Sequence, residues 1–308
     1  MASNRQLKSK IRTVGNIKQI TKAMQMVSAT KMRKSQEVAL RARPFAKKTL
    51  SLMQDIVEHE EVSKQESIYF AQQKEGLTCL IVVTSDKGLC GSFNSQVLRL
   101  AFQWKGENPE ADIIAVGRKG RDFFKRRGVA PVAEFLQFSD IVSLHDIALL
   151  SEWVLKAFEE RRYKRIVIVS TQFFSTLVQK PNIRQLLPLS IAELQEAVES
   201  IVPKTGKYAD WSTEESGKEK SPLHLLEPSP EAVLEILLRD LLKVQILHYI
   251  FESNASEHSS RMIAMKNATE NAENMMETLK LVLNKSRQAS ITQELTEIST
   301  AKEALSAE

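Results

Sequence analysis

The sequence predicts an α/β domain inserted into a long antiparallel α-helical coiled coil formed by the N- and C-terminal helices. Three observations carry this prediction. Helix breakers are missing from both ends: of ten glycines only Gly15 precedes Gly76 and none follows Gly217, and the last proline is Pro230. Residues 231–308 form an uninterrupted run of 78 residues without Gly or Pro. Between the ends, strand-like and helix-like segments alternate, the pattern of an α/β unit with a mostly parallel sheet.

From Ser3 to Arg43 the apolar positions Leu7, Ile11, Val14, Ile17, Ile20, Met24 and Val27 recur every three or four residues, which predicts a helix with a stripe near the coiled-coil period. Gly15 weakens it by roughly 1 kcal/mol relative to Ala. Pro44 bends the helix without ending it, and the pattern resumes through Leu50, Met53, Ile56 and Val57. The first part is therefore assigned to residues 1–60.

The α/β domain is assigned to residues 75–200. Leu77–Thr84 (LTCLIVVT), Asp112–Gly117 (DIIAVG), Val132–Phe138 and Arg165–Thr171 (RIVIVST) read as strands. Ser92–Lys105, Lys119–Arg127 and Leu144–Arg162 read as helices. Residues 203–222 (PKTGKYADWSTEESGKEKSP) are polar and aperiodic, and 201–226 is assigned as an exposed loop. The last part, 227–308, opens on Pro228 and Pro230, where a helix tolerates proline. As one helix, its 78 breaker-free residues would reach on the order of 115 Å at 1.5 Å per residue. Such a helix cannot bury itself in a globule and needs a partner, for which the N-terminal helix is available. Val233–Phe251 is densely apolar, as if packed on several sides; beyond Asn254 the apolar residues thin to a narrow seam.

Composition narrows the function. The net charge of +5 hides a division: residues 1–50 carry 13 Lys/Arg against the single acid Glu37, whereas residues 223–308 carry 8 against 13. A one-signed helix points to an acidic partner, whether nucleic acid, anionic lipid or acidic protein loops. Phe45 is its only aromatic residue, which disfavours base stacking, although duplex binding through phosphates stays open. No segment is apolar enough to span a bilayer, and the polar start is unlike a secretory signal. Two cysteines, Cys79 and Cys90, provide neither a disulfide framework nor a four-ligand zinc site, which fits a reducing compartment.

Chemical motifs are weak. SDKGLCGSFN (Ser85–Asn94) lies between a strand and a helix, where a glycine-rich turn could cradle phosphate. It lacks the closing GK[ST] of a phosphate-binding loop and the GxGxxG spacing, so a tight structural turn is the favoured reading, and VGRKG (Val116–Gly120) reads the same way. The five histidines form no HExxH, no GxSxG is present and Cys90 has no nearby His. Catalytic residues, cofactors and metals are not expected. A stand-alone nucleotide enzyme using the Gly88–Gly91 turn and a nucleic-acid-binding coiled coil remain as alternatives.

ITKAMQMVSATKMRKSQ (Ile20–Gln36) resembles the N-terminal helix of the F-type ATP synthase gamma subunit family, and NKSRQASITQELTEI (Asn284–Ile298) its C-terminal helix. SDKGLCGSFN, SRMIAMKNATENA (Ser260–Ala272) and LLEPSPE (Leu225–Glu231) are also similar to that family, in order along the whole chain. The resemblance implies a central-stalk rotor without an active site of its own. Its coiled coil would turn in the bore of the alpha/beta hexamer, and its α/β domain would lie near the epsilon subunit and the membrane c ring. It implies a peripheral membrane protein on the cytoplasmic face of the bacterial plasma membrane, touching the membrane only through the complex, with no nucleic-acid partner. Met24 matches the family's shaft methionine near the acidic beta-subunit loop, and Arg287, Gln288 and Thr292 match its polar contacts with a beta-subunit loop. Lys31, Arg33 and Lys34 are acidic-loop partners by charge, and Glu227 lies in the segment matching the foot at the c ring.

The chain departs from the family at Ser92, where Gly is usual, and at Gly15 and Ile17. Residues 196–221 are longer than in many bacterial relatives but contain no cysteine, so the redox switching of plant plastid relatives is not expected. The tail after Ile298 matches nothing and is expected to fray.

Overall fold

A computed structural model describes residues 4–59, 68–71, 73, 75–136, 144–189, 227 and 229–306. The chain forms two compact units, one of Met1–Val27 with Met262–Glu308, the other Ser28–Arg261. The expected loop 201–226 lies outside the described residues.

The larger unit is built on a five-stranded sheet of β1 (Leu77–Val83), β2 (Asp112–Val116), β3 (Ala133–Phe135), β4 (Tyr163–Phe173) and β5 (Gln179–Leu187), in the order β3-β2-β1-β4-β5. The first four strands are parallel, and β5 is antiparallel to β4. Three helices connect the parallel strands: α2 (Phe93–Glu107), α3 (Arg118–Lys125) and α4 (Leu144–Glu159). Covered faces explain the unbroken apolar runs of the central strands, since a strand buried on both sides need not alternate. Leu80, Val82, Ile113, Val167 and Val169 pack with Val97, Ala101 and Trp104 of α2 and Phe124 of α3. The alternate residues Ile81, Val83, Ile114, Ile166 and Ile168 belong to a second core with Leu150, Val154 and Phe158 of α4. The final helix, α5 (Pro230–Ser306), joins that second core through Leu234, Leu238, Leu242, Ile246 and Ile250.

β5 is absent from the sequence reading. It carries Pro181, which removes a donor and suits an edge strand, and its residues are mostly half-buried. The strand exists because β4 extends to Phe173 and supplies a ladder to it.

Both long helices form. The first, α1, runs Asn4–His59 with Pro44 inside. α5 starts at Pro230, where Ser229 caps it by accepting the Ala232 amide on Oγ at 3.3 Å. Past Ile298, α5 continues to Ser306.

In the smaller unit a Cβ on Gly15 would lie 3.6 Å from Met276 Sδ, Lys18 Nζ sits 2.6 Å from Glu273 Oε1, and Thr21 Oγ1 lies 2.8 Å from Thr269 Oγ1. Steps forward along α1 are therefore steps backward along α5. In this unit the buried line on α1 passes through Leu7, half-buried Val14 and Thr21, every seventh residue. The apolar stripe read from sequence follows that line only in part: Leu7 and Val14 lie on it, whereas Ile17, Ile20 and Val27 are exposed at 47, 59 and 53%. A single partner helix covers one narrow face, on which Leu7, Val14 and Thr21 lie.

The domain is closed tightly where β1 meets α3. Gly117 has φ +92 and ψ 147, and a Cβ there would fall 2.1 Å from the Thr84 carbonyl oxygen. That conformation belongs almost exclusively to glycine. Gly117→Ala is expected to cost about 2–4 kcal/mol of stability, read as a lower denaturant midpoint for the isolated chain; an unchanged midpoint would show that Thr84 can move aside.

Candidate functional site

The two glycine-rich turns are the candidate phosphate cradles. Ser85 donates its amide to Asn94 Oδ1 at 3.0 Å and its hydroxyl to the Lys87 carbonyl at 2.6 Å. Asn94 Nδ2 donates to Ser85 Oγ at 2.7 Å and lies 3.1 Å from Cys90 Sγ. The first amides of α3 are engaged as well: Arg118 N–H on Asp86 Oδ1, Lys119 N–H on the Ser85 carbonyl, and Gly120 N–H on Thr84 Oγ1, at 2.8, 3.1 and 2.8 Å. A helix N-terminus attracts anions through free amides; here protein oxygens already hold them. Both turns are structural joints. Cys90 is buried among these groups, and burial raises its thiol pKa, outweighing the Ser85 hydrogen bond; such a thiol is a poor nucleophile.

The sequence-predicted contact residues fall into separate groups. Met24 is half-buried on α1, one turn past Thr21. Arg287, Gln288 and Thr292 are exposed on α5, and Thr292 Oγ1 donates to the Gln288 carbonyl at 2.9 Å. Thr269, opposite Thr21, and Arg287 are separated along α5 by about 27 Å at 1.5 Å per residue, so Met24 and the Arg287 group are distinct sites. Continuing the Gly15–Met276 and Lys18–Glu273 register brings Asn4, where α1 begins, level with Arg287. Past that point α5 is exposed throughout 291–300, including Ile291, Leu295 and Ile298 at 53, 62 and 65%. Lys31 is half-buried, and Arg33 and Lys34 are exposed, in the part of α1 that belongs to the larger unit. Glu227 is exposed. Among the described residues no three His, Cys, Asp or Glu side chains could hold a metal ion, and no helix is long and apolar enough to cross a membrane.

Sequence reasoning missed a polar face of α5 that the sheet buries. Gln245, His248, Glu252, Ser253, Ser256 and Ser259 are all buried. Ser256 Oγ donates to the Thr171 carbonyl at 3.5 Å and Ser259 Oγ to the Thr176 carbonyl at 2.7 Å. On the adjoining face, Ser260 Oγ donates to the Cys90 carbonyl at 2.7 Å and Arg261 reaches the Gly88 carbonyl from Nε and Nη2 at 3.3 and 3.2 Å. The available signal was the motif beginning at Ser260; spacing alone makes serines on a helix look solvated.

His248 Nε2 and Glu252 Oε2 lie 3.5 Å apart. Burial lowers the His248 pKa to about 3, helped by the Arg184 charge, and burial raises the Glu252 pKa to about 8 against the Arg184 charge and the Phe173 amide. At neutral pH both are uncharged, so their contact is not an ion pair. The folded chain holds the Glu252 proton more strongly than the unfolded chain, whose carboxyl titrates near 4.5. This stabilisation is complete below that value and is lost as pH rises toward 8. His248 acts oppositely, its contribution complete above 6.5 and lost as pH falls toward 3. Between pH 6.5 and 8 the Glu252 loss therefore dominates, at on the order of 2 kcal/mol. Glu252→Gln is expected to flatten the fall in melting temperature over this range; an identical fall in both proteins would assign it to other groups.

Comparison with known proteins places this geometry. A family model described as ATP synthase matches residues 3–305. The ATP synthase gamma chain of Chloroflexus aurantiacus is 37% identical over 310 residues, covering 99% of each chain. That of Roseiflexus castenholzii is 37% identical over 309 residues, again 99% of each, and that of Heliobacterium modesticaldum 35% over 298 residues, 97% of each. Among solved structures, a chain of the Euglena gracilis mitochondrial ATP synthase in rotational state 3 matches with a TM-score of 0.63 at 20% identity, covering 99% of this chain and 95% of that one. A chain of the Tetrahymena thermophila mitochondrial ATP synthase central stalk and c ring matches at 0.56 and 23% identity, over 81% and 99%. At such identities these structures speak to the fold alone, whereas the relatives and the family model extend over nearly every residue. The chain belongs to the ATP synthase gamma chain family.

Proposed function

We propose that the chain is the central-stalk rotor subunit of an F-type ATP synthase, passing torque between the membrane c ring and the catalytic alpha/beta hexamer during proton-driven ATP synthesis. It has no active site of its own; the chemistry belongs to the hexamer. The paired parts of α1 and α5 act as an antiparallel coiled-coil shaft in the hexamer bore. The α/β domain, assigned to 75–200 between a 1–60 helix and a 227–308 helix, sits with the epsilon subunit and the c ring. The chain is then a peripheral protein at the cytoplasmic face of a bacterial plasma membrane, held there through the complex.

Alongside family membership, the observation that carries this reading is the exposed apolar surface of the smaller unit. Ile17, Ile20 and Val27 on α1, and Ile291, Leu295 and Ile298 on α5, are all about half exposed or more. Apolar stripes of that kind on a helix suit an external partner, and a bore lined by other subunits provides one. Exposed cations such as Arg33, Lys34 and Arg287 suit contacts that are remade at each step, because exposed ion pairs are individually weak, about 0–1 kcal/mol.

Within this reading Met24 bears on an acidic beta-subunit loop, where a flexible thioether adapts to changing neighbours. Lys31, Arg33 and Lys34 face acidic loops, Arg287, Gln288 and Thr292 form exchangeable polar contacts with a beta-subunit loop, and Glu227 lies at the foot near the c ring. Reconstitution with cognate alpha and beta subunits tests the whole: an active ATPase containing the chain is expected, and failure to co-assemble would remove the proposal. In that complex Arg287→Ala should lower ATP hydrolysis about fivefold, the rate equivalent of about 1 kcal/mol. The isolated variant should unfold at the parental denaturant concentration, since Arg287 is exposed. Unchanged turnover would remove Arg287 from the contact set.

A further inference from the structure

α5 is held in the larger unit in two physically different ways. Up to Ile250 it is held mainly by apolar packing through Leu234, Leu238, Leu242 and Ile246, with a single part-exposed ion pair to α4 among the described residues, from Arg239 Nη2 to Glu159 Oε1 at 2.9 Å. Apolar burial is strong but non-directional, so by itself it sets the helix rotation loosely. From Ser256 to Arg261, the last residue of the larger unit, the helix is held by directional bonds to main-chain oxygens.

Those bonds reach two loops. One joins β1 to α2, the other joins β4 to β5, and both leave the carboxyl edge of neighbouring parallel strands. Ser259 Oγ donates to the Thr176 carbonyl of the β4–β5 loop at 2.7 Å and accepts from Gln179 Nε2 at 3.4 Å. Ser260 Oγ donates to the Cys90 carbonyl at 2.7 Å. Arg261 donates from Nε and Nη2 to the Gly88 carbonyl at 3.3 and 3.2 Å and from Nη2 to the Lys87 carbonyl at 3.4 Å. The guanidinium is fixed from behind by Glu257 Oε1 at 2.6 Å from Nη2 and His258 Nδ1 at 3.2 Å from Nη1. A planar fork engaged on all three nitrogens has one orientation, which a lysine ammonium could not reproduce.

Two features make this more than ordinary packing. Consecutive helical residues project about 100° apart around the axis, so Ser259 and Ser260 fasten the helix in two directions at once, and rotation about the axis must break one set. The β1–α2 turn is itself held in an uncommon shape: Leu89 has φ +62 although it is not glycine, and the residue is 64% exposed. Such a conformation persists only where the surroundings over-determine it, and the carbonyls on both sides of Leu89, those of Gly88 and Cys90, are the ones that α5 grips.

We propose that Ser259, Ser260 and Arg261 are positioning residues for torque: they lock the rotational register of α5 to the carboxyl edge of the sheet, so that turning the α/β domain turns the helix without slip. The proposal rests on the rotor reading above. Loss of the lock lets the helix yield within the domain, so ATP hydrolysis continues while the work transmitted to the membrane sector falls.

The test uses the whole complex, reconstituted in vesicles with the unmodified chain, with a Ser260→Ala, Arg261→Gln double variant and with Ser260→Thr, which retains the hydroxyl. ATP hydrolysis and ATP-driven proton uptake are measured on the same vesicles. The double variant is expected to lose proton uptake at an unchanged hydrolysis rate, and the Thr variant to behave as the unmodified chain. Full coupling in the double variant would overturn the proposal. So would a proportional fall of hydrolysis and uptake, which would assign these residues to folding or assembly. If vesicles with the unmodified chain neither hydrolyse ATP nor pump, the rotor reading itself fails and the positioning role falls with it.

Discussion

A helix of 77 residues cannot cover its own apolar side chains, and everything else in this chain answers to that constraint. In the larger unit the sheet and α4 share a core with α5, so that Leu238, Leu242 and Ile246 are fully buried there. In the smaller unit α1 covers one face, and the covered positions shrink to Met265, Thr269 and Ala272. Beyond the level of Asn4 nothing described covers α5, and residues 291–300 are exposed without exception. One continuous helix thus passes through three environments, and its composition changes with each.

The nature of the buried groups follows from what each environment must do. Between the two helices Gly15 lies against Met276 and Thr21 against Thr269, so that a glycine and two hydroxyl side chains allow close approach. Thr269 has one hydroxyl proton and two acceptors within reach, Thr21 Oγ1 and the Met265 carbonyl, each at 2.8 Å. Against the sheet the apolar stretch of α5 supplies adhesion and the polar stretch after it supplies direction. Buried polar groups are costly unless bonded, but once bonded they specify one arrangement among many of similar apolar contact.

Much of this was legible in the sequence. The breaker-free ends gave both long helices, and the apolar runs LTCLIVVT and RIVIVST gave the two central strands, because strands covered on both faces have little choice of composition. Three things were not legible. β5 contains Pro181 and polar residues, and only its ladder with β4 makes it a strand. The apolar stripe on α1 was visible, but its direction was not: apolar residues mark faces to be covered without saying by whom, and Ile17, Ile20 and Val27 point away from α5's cover. The grip of Ser259, Ser260 and Arg261 was hidden because its acceptors are main-chain carbonyls, which leave no trace in residue identity. The candidate contact residues came from family motifs, since an exposed Arg287 carries no local signal that separates a partner contact from a solvated side chain.

The bare end of α5 also bears on the free chain. Ile291, Leu295 and Ile298 recur at helical spacing on an exposed surface, which is a seam open to any second helix, a copy of itself included. Until other subunits cover that end, a free chain offers the same seam to a second copy of itself.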